Sequence, residues 1–322
     1  MRIAQAASAA AGLVAVALGV LAGLPARAEA PSVVVSVAPV HALVAGVMAS
    51  IGTPHLLVQG GRSPHTVALR PSDIRRLRDA DVIVWVGPGL ESFMARPVAA
   101  LDRDSGAAVL ALYDAPGVRR LARRAGGAWP AHGHDHGHGA ADEHGRSPFT
   151  LDAHIWLSPD NAAAIARAAA AKLADRDPAN AAAYAANARR LEQRIATLEA
   201  RLAAILAPVR RMPYLVFHDA YQYFERHFGL NPIGAVTLGP ERQIGARRLS
   251  GIREHMAKTG ARCAFREPQF PPRLIETVVE GTGIRIGVLD PLGAAIPPGP
   301  DHWFTLMENL ADSLLRCLHA AR

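Results

Sequence analysis

The sequence predicts an α/β fold in which two βα-sandwich lobes with parallel sheets are joined by one long, rigid linker helix. Short apolar runs alternate with helical patterns twice, over residues 31–113 and again over 214–319. Between these halves, residues 178–207 form one continuous helical stretch rich in Ala, Leu and Arg. Continuous apolar strands separated by helices indicate parallel sheets that are covered on both faces.

The N-terminus has the form of a secretory signal peptide, residues 1–28. An apolar run over residues 6–24 is followed by Ala26 and Ala28, which have the small-residue spacing of a cleavage site. An uncleaved membrane anchor is the alternative, because the run is nearly long enough to span a bilayer. Pro25 breaks the run and favours cleavage. We therefore expect a mature chain in the periplasm that has no membrane span.

The N-terminal lobe is predicted to cover residues 29–177. Its strands are predicted at 33–40, 55–59, 81–86 and 107–113, and its helices at 41–51, 71–79, 91–101 and 161–174. The strands are apolar along their whole length, which is typical of a parallel sheet buried on both faces.

The linker helix is predicted over residues 178–208. Pro178 stands in its first turn and Pro208 ends it, as helix boundaries favour. Apolar residues keep a three-and-four spacing along one stripe: Tyr184, Leu191, Ile195, Leu198, Leu202 and Ile205. At about 1.5 Å per residue, roughly 30 residues span about 45 Å, which is longer than one lobe needs.

The C-terminal lobe is predicted to cover residues 209–322. Its strands are predicted at 214–217, 232–238, 263–266 and 284–289, and its helices at 220–228, 245–258, 272–280 and 302–319. This lobe has the same predicted architecture as the first, but the two sequences show no internal repeat.

The distribution of charge and the number of cysteines argue against some classes of function. The net charge is +7, but the Arg residues are scattered among Ala and Leu without interleaved aromatics, so we expect no nucleic-acid partner. The two cysteines, Cys263 and Cys317, form an even pair in a chain that we expect to be exported. Such a pair favours a disulfide over a metal-binding or catalytic role.

A His-rich loop, residues 131–146, contains His, Gly, Asp and Glu but little apolar surface, so it cannot build a packed core. Neutral imidazoles are good ligands for Zn, Cu and Ni, and flexible Gly spacers let several rings converge on one ion. We predict an accessory, low-affinity metal collector at the rim of the cleft, formed by His132, His134, His136, His138 and His144.

The principal site is predicted at the carboxyl ends of the strands, where parallel sheets bind their ligands. Four polar residues lie at such positions, two from each half: His65, His154, His218 and Asp290. Each histidine alone could be an ordinary loop or core residue. Together they form a set of three imidazoles with a carboxylate or a water, which suits a tetrahedral Zn²⁺ site.

Five segments closely resemble those of the zinc-specific solute-binding proteins of bacterial ABC importers: GRSPHTVALRPSD, DAHIWLSPDN, FHDAYQYFERHFGL, FREPQF and LDPLG. The resemblance covers essentially the whole mature chain. It implies that His65, His154 and His218 coordinate the metal and that Asp290 or a water completes the site. It also implies that Cys263 pairs with Cys317.

Two positions bear on the choice of metal within that family. Manganese-binding relatives carry a carboxylate where this chain has His218, and a histidine there favours Zn over the harder Mn. Some zinc-binding members carry a glutamate ligand just before the first histidine. This chain has Pro64 at that position, so a neighbouring glutamate ligand is excluded.

The resemblance implies a monomeric periplasmic receptor, not an enzyme, that delivers Zn²⁺ to the membrane permease of an ABC transporter. A secreted zinc hydrolase is the alternative from another class, with Glu267 as its candidate general base. No H-E-x-x-H signature occurs in the chain. A periplasmic zinc buffer or chaperone without a transporter is the third possibility.

Overall fold

The computed structural model describes residues 29–59, 61–104, 106–124, 148–237, 239 and 245–319. The predicted signal peptide and the predicted His-rich loop, with His132, His134, His136, His138 and His144, lie outside these residues. Among the described helices, none combines the length and the apolar character that crossing a bilayer requires.

The N-terminal sheet has four parallel strands in the order β2-β1-β3-β4. The strands are β1 (Val33–Val35), β2 (His55–Leu56), β3 (Val82–Trp85) and β4 (Ala108–Ala111). Its helices are α1 (Ala38–Val47), α2 (Pro71–Arg78), α3 (Ala95–Asp104) and α4 (Pro159–Arg176). The predicted parallel sheet with covering helices is confirmed.

The predicted strand at 33–40 is too long, because the apolar run there is divided between two elements. Strand β1 ends at Val35 and helix α1 begins at Ala38. Pro39 lies in the first turn of α1, where a helix needs no N–H donor from the residue. Because both elements are buried, hydrophobicity alone could not separate them.

Helix α5 (Ala181–Leu206) is the predicted linker helix, with a 3₁₀ turn at each end. It packs against α1 and α4 on the N-terminal side and against the last helix of the chain, so it contacts elements of both lobes. Its buried stripe matches the prediction except at one end, where Leu206 is fully buried and Ile205 only partly.

The C-terminal sheet has the same strand order as the first, β6-β5-β7-β8, and all its pairs are parallel. The strands are β5 (Tyr214–His218), β6 (Pro232–Thr237), β7 (Cys263–Arg266) and β8 (Arg285–Val288). Its helices are α6 (Gln222–Phe228), α7 (Ala246–Thr259), α8 (Arg273–Val279) and α9 (His302–His319).

Two tryptophans and one disulfide connect segments that are distant in the sequence. The indole N–H of Trp156, after the N-terminal sheet, donates to the carbonyl of Pro291 at 2.8 Å, and that of Trp303 in α9 donates to the carbonyl of Trp156 at 2.8 Å. Cys263 of β7 and Cys317 of α9 form the predicted disulfide. The disulfide attaches α9 to the central part of the second sheet.

Candidate metal centre

The structure brings His65, His154 and His218 together in one small pocket. One ligand nitrogen of each ring lies within 4.8 Å of those of the other two. The Nε2 atoms of His154 and His218 are 3.3 Å apart. Two nitrogens bound tetrahedrally to one zinc at about 2.0–2.1 Å are separated by about 3.3 Å, so this spacing fits a shared zinc ion.

Each histidine reaches the pocket from a different kind of element. His218 is the last residue of β5, at the carboxyl edge of the sheet as predicted. His154 directly precedes a 3₁₀ turn, Ile155–Leu157. His65 lies in the loop between β2 and α2, well beyond the end of β2 at Leu56, so it approaches the pocket from a loop and not from a strand end.

Two buried carboxylates orient two of the rings. Nδ1 of His154 donates to Oδ1 of Asp152 at 2.8 Å, and Nδ1 of His218 lies 2.8 Å from Oε1 and 2.9 Å from Oε2 of Glu267. With the ring proton on Nδ1, the lone pair of each neutral imidazole is on Nε2. The two Nε2 lone pairs are therefore available to one ion between the rings.

The third ring, His65, has no carboxylate partner among the described residues. Its Nε2 atom is buried and makes no hydrogen bond there. A buried polar atom without a partner carries a desolvation cost that native structures usually avoid. Coordination of a metal ion by this nitrogen would remove that cost, so the atom fits the role of a ligand.

The electrostatics of the pocket favour the neutral form of two of the three rings, those of His65 and His154. Burial lowers the pKa of His65 and of His154 well below the usual histidine range. The ring of His218 lowers both pKa values further, and the ring of His154 adds to the effect on His65. Burial acts in the same direction on His218, but the charge and hydrogen bond of Glu267 outweigh it and raise the pKa. Burial raises the pKa of Asp152 to about 6.

Asp290, the predicted fourth ligand, is not in the group of converging ligand atoms found among the described residues. Its Oδ1 accepts hydrogen bonds from Nε2 of Gln269 at 2.6 Å and from the N–H of Leu292 at 3.0 Å. Its Oδ2 accepts from the N–H of Ala294 at 2.6 Å. The carboxylate of Asp290 therefore already accepts three hydrogen bonds from its own lobe.

Sequence reasoning missed the role of Asp152 and considered Glu267 only as a possible general base. The structure shows both as buried hydrogen-bond acceptors for the histidine rings. Asp152 carries a local signal, since it stands two residues before His154 in LDAHIW. Glu267 is 49 residues from His218, so only the pairing of β5 with β7 brings them together.

The sequence matches the family of the periplasmic component A of zinc-uptake complexes over residues 33–317. The high-affinity zinc uptake system protein ZnuA of Brucella abortus is 41% identical over 312 residues, which are 90% of this chain and 92% of that protein. ZnuA of Paracoccus denitrificans is 41% identical over 322 residues, 96% and 98% of the two chains.

A solved structure of a ZnuA deletion mutant with zinc bound has the same fold. Its TM-score is 0.73 at 24% identity, over 91% of this chain and 100% of that one. The family match spans both sheets and all three converging histidines. The chain belongs to the ZnuA family of periplasmic zinc-uptake components.

Proposed function

We propose that this chain is the periplasmic zinc receptor of an ABC importer and that it hands Zn²⁺ to a membrane permease. Zinc is the cargo, held by the Nε2 atoms of His154 and His218 and by a ring nitrogen of His65. The convergence of these three rings, with two Nε2 atoms 3.3 Å apart, carries the proposal. The names of the curated relatives support zinc as the ion.

The hydrogen bonds of the two carboxylates near the pocket support the function of a receptor over that of a hydrolase. A catalytic zinc site keeps an open metal position and a carboxylate placed to activate water. Here Asp152 and Glu267 each accept a hydrogen bond from a ligand ring, so both serve to orient the histidines. We therefore infer binding and release without catalysis, with water or a rearranged Asp290 in the fourth position.

The remaining parts of the proposal concern export and organisation. Residues 1–28 are removed as a signal peptide, and the mature chain acts as a monomer. Its lobes, residues 29–177 and 209–322, are joined by the linker over 178–208. The His-rich loop collects metal with low affinity.

Equilibrium competition against a zinc chelator tests the site. We expect one tight site in the wild type, and we expect it to be lost in His65→Ala, His154→Ala and His218→Ala. Asp290→Ala should keep tight binding if water completes the site and lose it if the carboxylate does. His255→Ala is the control, because that ring bonds to the backbone carbonyl of Ile233 instead. Unchanged tight binding in His65→Ala and His218→Ala would refute the assignment.

Transport needs a separate test in cells. A strain without this chain should grow poorly when zinc is chelated, and the wild-type chain should restore growth while His218→Ala should not. Equal growth of the deleted strain and its parent in chelated medium would argue for a zinc buffer without a transporter.

A further inference from the structure

Arg124 follows the N-terminal sheet and contacts two carboxylates of the C-terminal lobe. Its Nε donates to Oδ1 of Asp219 at 2.9 Å and to Oδ2 at 3.2 Å. Its Nη2 donates to Oδ1 of Asp219 as well, and to Oε2 of Glu225 at 2.6 Å. The side chains of Asp219 and Glu225 are only 6% and 2% exposed, so this is a buried cluster of charges.

The cluster contacts the turn that follows His218 and the helix after that turn. Asp219 directly follows His218, and Glu225 lies in α6 beyond the turn. Tyr214, at the start of β5, donates its hydroxyl to Oε1 of Glu225 at 3.2 Å. The guanidinium of Arg124 thereby connects the turn after β5 to a segment of the other lobe.

The same segment is connected to the element that carries His154. The N–H of Leu121 donates to the hydroxyl of Tyr223 in α6 at 2.9 Å, and that hydroxyl donates to the carbonyl of Asp152 at 3.2 Å. The N–H of Asp152 donates to the carbonyl of Leu121 at 2.8 Å. Residues 121–124 therefore contact both the carboxylate partner of His154 and the turn of His218.

We propose that Arg124 is a positioning residue that fixes the distance between His154 and His218 before zinc arrives. The inference rests on the proposed function, in which both rings bind zinc. Burying three charges together is costly, and replacing them by apolar groups is often no worse for stability. A bidentate Arg–carboxylate contact does supply directional restraint, and a binding site held in its productive geometry loses less free energy on binding.

Removing the guanidinium would free the turn. In Arg124→Gln, Asp219 and Glu225 face each other without a cation between them, so we expect the turn to shift and the two rings to separate. We expect the dissociation constant for zinc to rise about tenfold, the lower end of the effect of removing groups that orient metal ligands. Arg124→Lys keeps the positive charge but loses the bidentate geometry of the guanidinium. Its dissociation constant for zinc should lie between those of the wild type and Arg124→Gln.

The experiment uses the full mature chain. Zinc affinity is measured by chelator competition, and the visible absorption of bound Co²⁺ reports the coordination geometry. We expect both to change in Arg124→Gln and to recover in part in Arg124→Lys. Arg167→Gln is the matched control, since it removes an exposed ion pair with Glu192 and should leave both readouts unchanged.

A double variant separates positioning from stability. Arg124→Gln with Asp219→Asn removes the uncompensated carboxylate and should recover part of the thermal stability while zinc affinity stays low. Recovery of zinc affinity together with stability would overturn the proposal, as would wild-type affinity and cobalt absorption in Arg124→Gln. If Arg124→Gln binds zinc as the wild type does while His218→Ala loses tight binding, the role of Arg124 is refuted but the proposed metal site is not.

Discussion

Glu267 accepts the ring proton of His218, with Nδ1 of the imidazole 2.8 Å from Oε1 of the carboxylate. Only 2% of Glu267 is exposed, and the contact joins β7 to the end of β5. Asp152 makes the equivalent contact with His154 at 2.8 Å. Two of the three converging rings are therefore each held by a buried carboxylate.

Removal of the carboxylate charge at Glu267 should weaken zinc binding. In Glu267→Gln the ring of His218 loses its charged acceptor and is a poorer ligand, so we expect zinc affinity to fall by about 10- to 100-fold. Chelator competition measures the change. Glu254→Gln, at an exposed position of α7, is the control and should bind as the wild type does. Equal affinity in both variants would contradict this role of Glu267.

Deletion of residues 132–144 should leave the tight site intact. The three converging histidines all lie outside that range, whereas the predicted collector lies within it. We expect calorimetry to show the weaker additional sites lost and one tight site retained. Loss of the tight site on deletion would show that the His-rich loop supplies a ligand.

Glu91 should make the stability of the metal-free protein depend on pH. Its carboxylate is fully buried and accepts the N–H groups of Val86 and Gly87, at 3.2 and 2.9 Å. Burial raises its pKa from 4.5 to about 7. Between these values the folded state binds the proton and the unfolded state does not. The free energy of unfolding should therefore decrease as pH rises through this window, by about 3 kcal/mol in total.

Urea unfolding at about pH 5 and about pH 8 measures this effect, since the two values bracket the window. In Glu91→Gln the titrating group is gone, so the wild type should lose stability relative to the variant as pH rises. Glu254→Gln, at an exposed position of α7, should keep the pH dependence of the wild type. The same pH dependence in wild type and Glu91→Gln would contradict the assignment.

The Cys263–Cys317 disulfide should stabilise the fold by restricting the unfolded chain. The two residues are 54 positions apart, for which the chain-entropy model gives about 4 kcal/mol. Urea unfolding of the double variant Cys263→Ala/Cys317→Ala should show a loss of that size. Thiol titration of the denatured, unreduced wild type should detect no free thiol, and two thiols per chain would contradict the pairing.

Much of the fold could be predicted because the local patterns agree with the tertiary structure. Strand β7 and helix α9 have the predicted bounds, and His218 ends its strand as expected. The predicted end of the first strand was wrong, because the buried start of a helix and a buried strand have the same hydrophobicity. Asp290 or a water was predicted to complete the site, and that stays a prediction; the carboxylate of Asp290 accepts the N–H groups of Leu292 and Ala294 in the turn after β8.

The long-range contacts around the candidate site could not be predicted from local pattern. Arg124 is 95 residues from Asp219, and Glu267 is 49 from His218. These pairs meet only because the two lobes pack together and because β5 lies beside β7. Charged residues at such positions look like ordinary surface residues until the packing is known.

The three converging histidine rings differ in burial and in the contacts that hold them. His154 and His218 are 6% and 4% exposed and are each held by a carboxylate, whereas His65 is half-buried, lies on a loop and has no such restraint among the described residues. In the proposed site, the bond from zinc to His65 would be the one that the fold protects least, since neither a carboxylate nor a strand in the described part of the chain holds that ring. Transfer of zinc to an acceptor would then begin at the loop between β2 and α2.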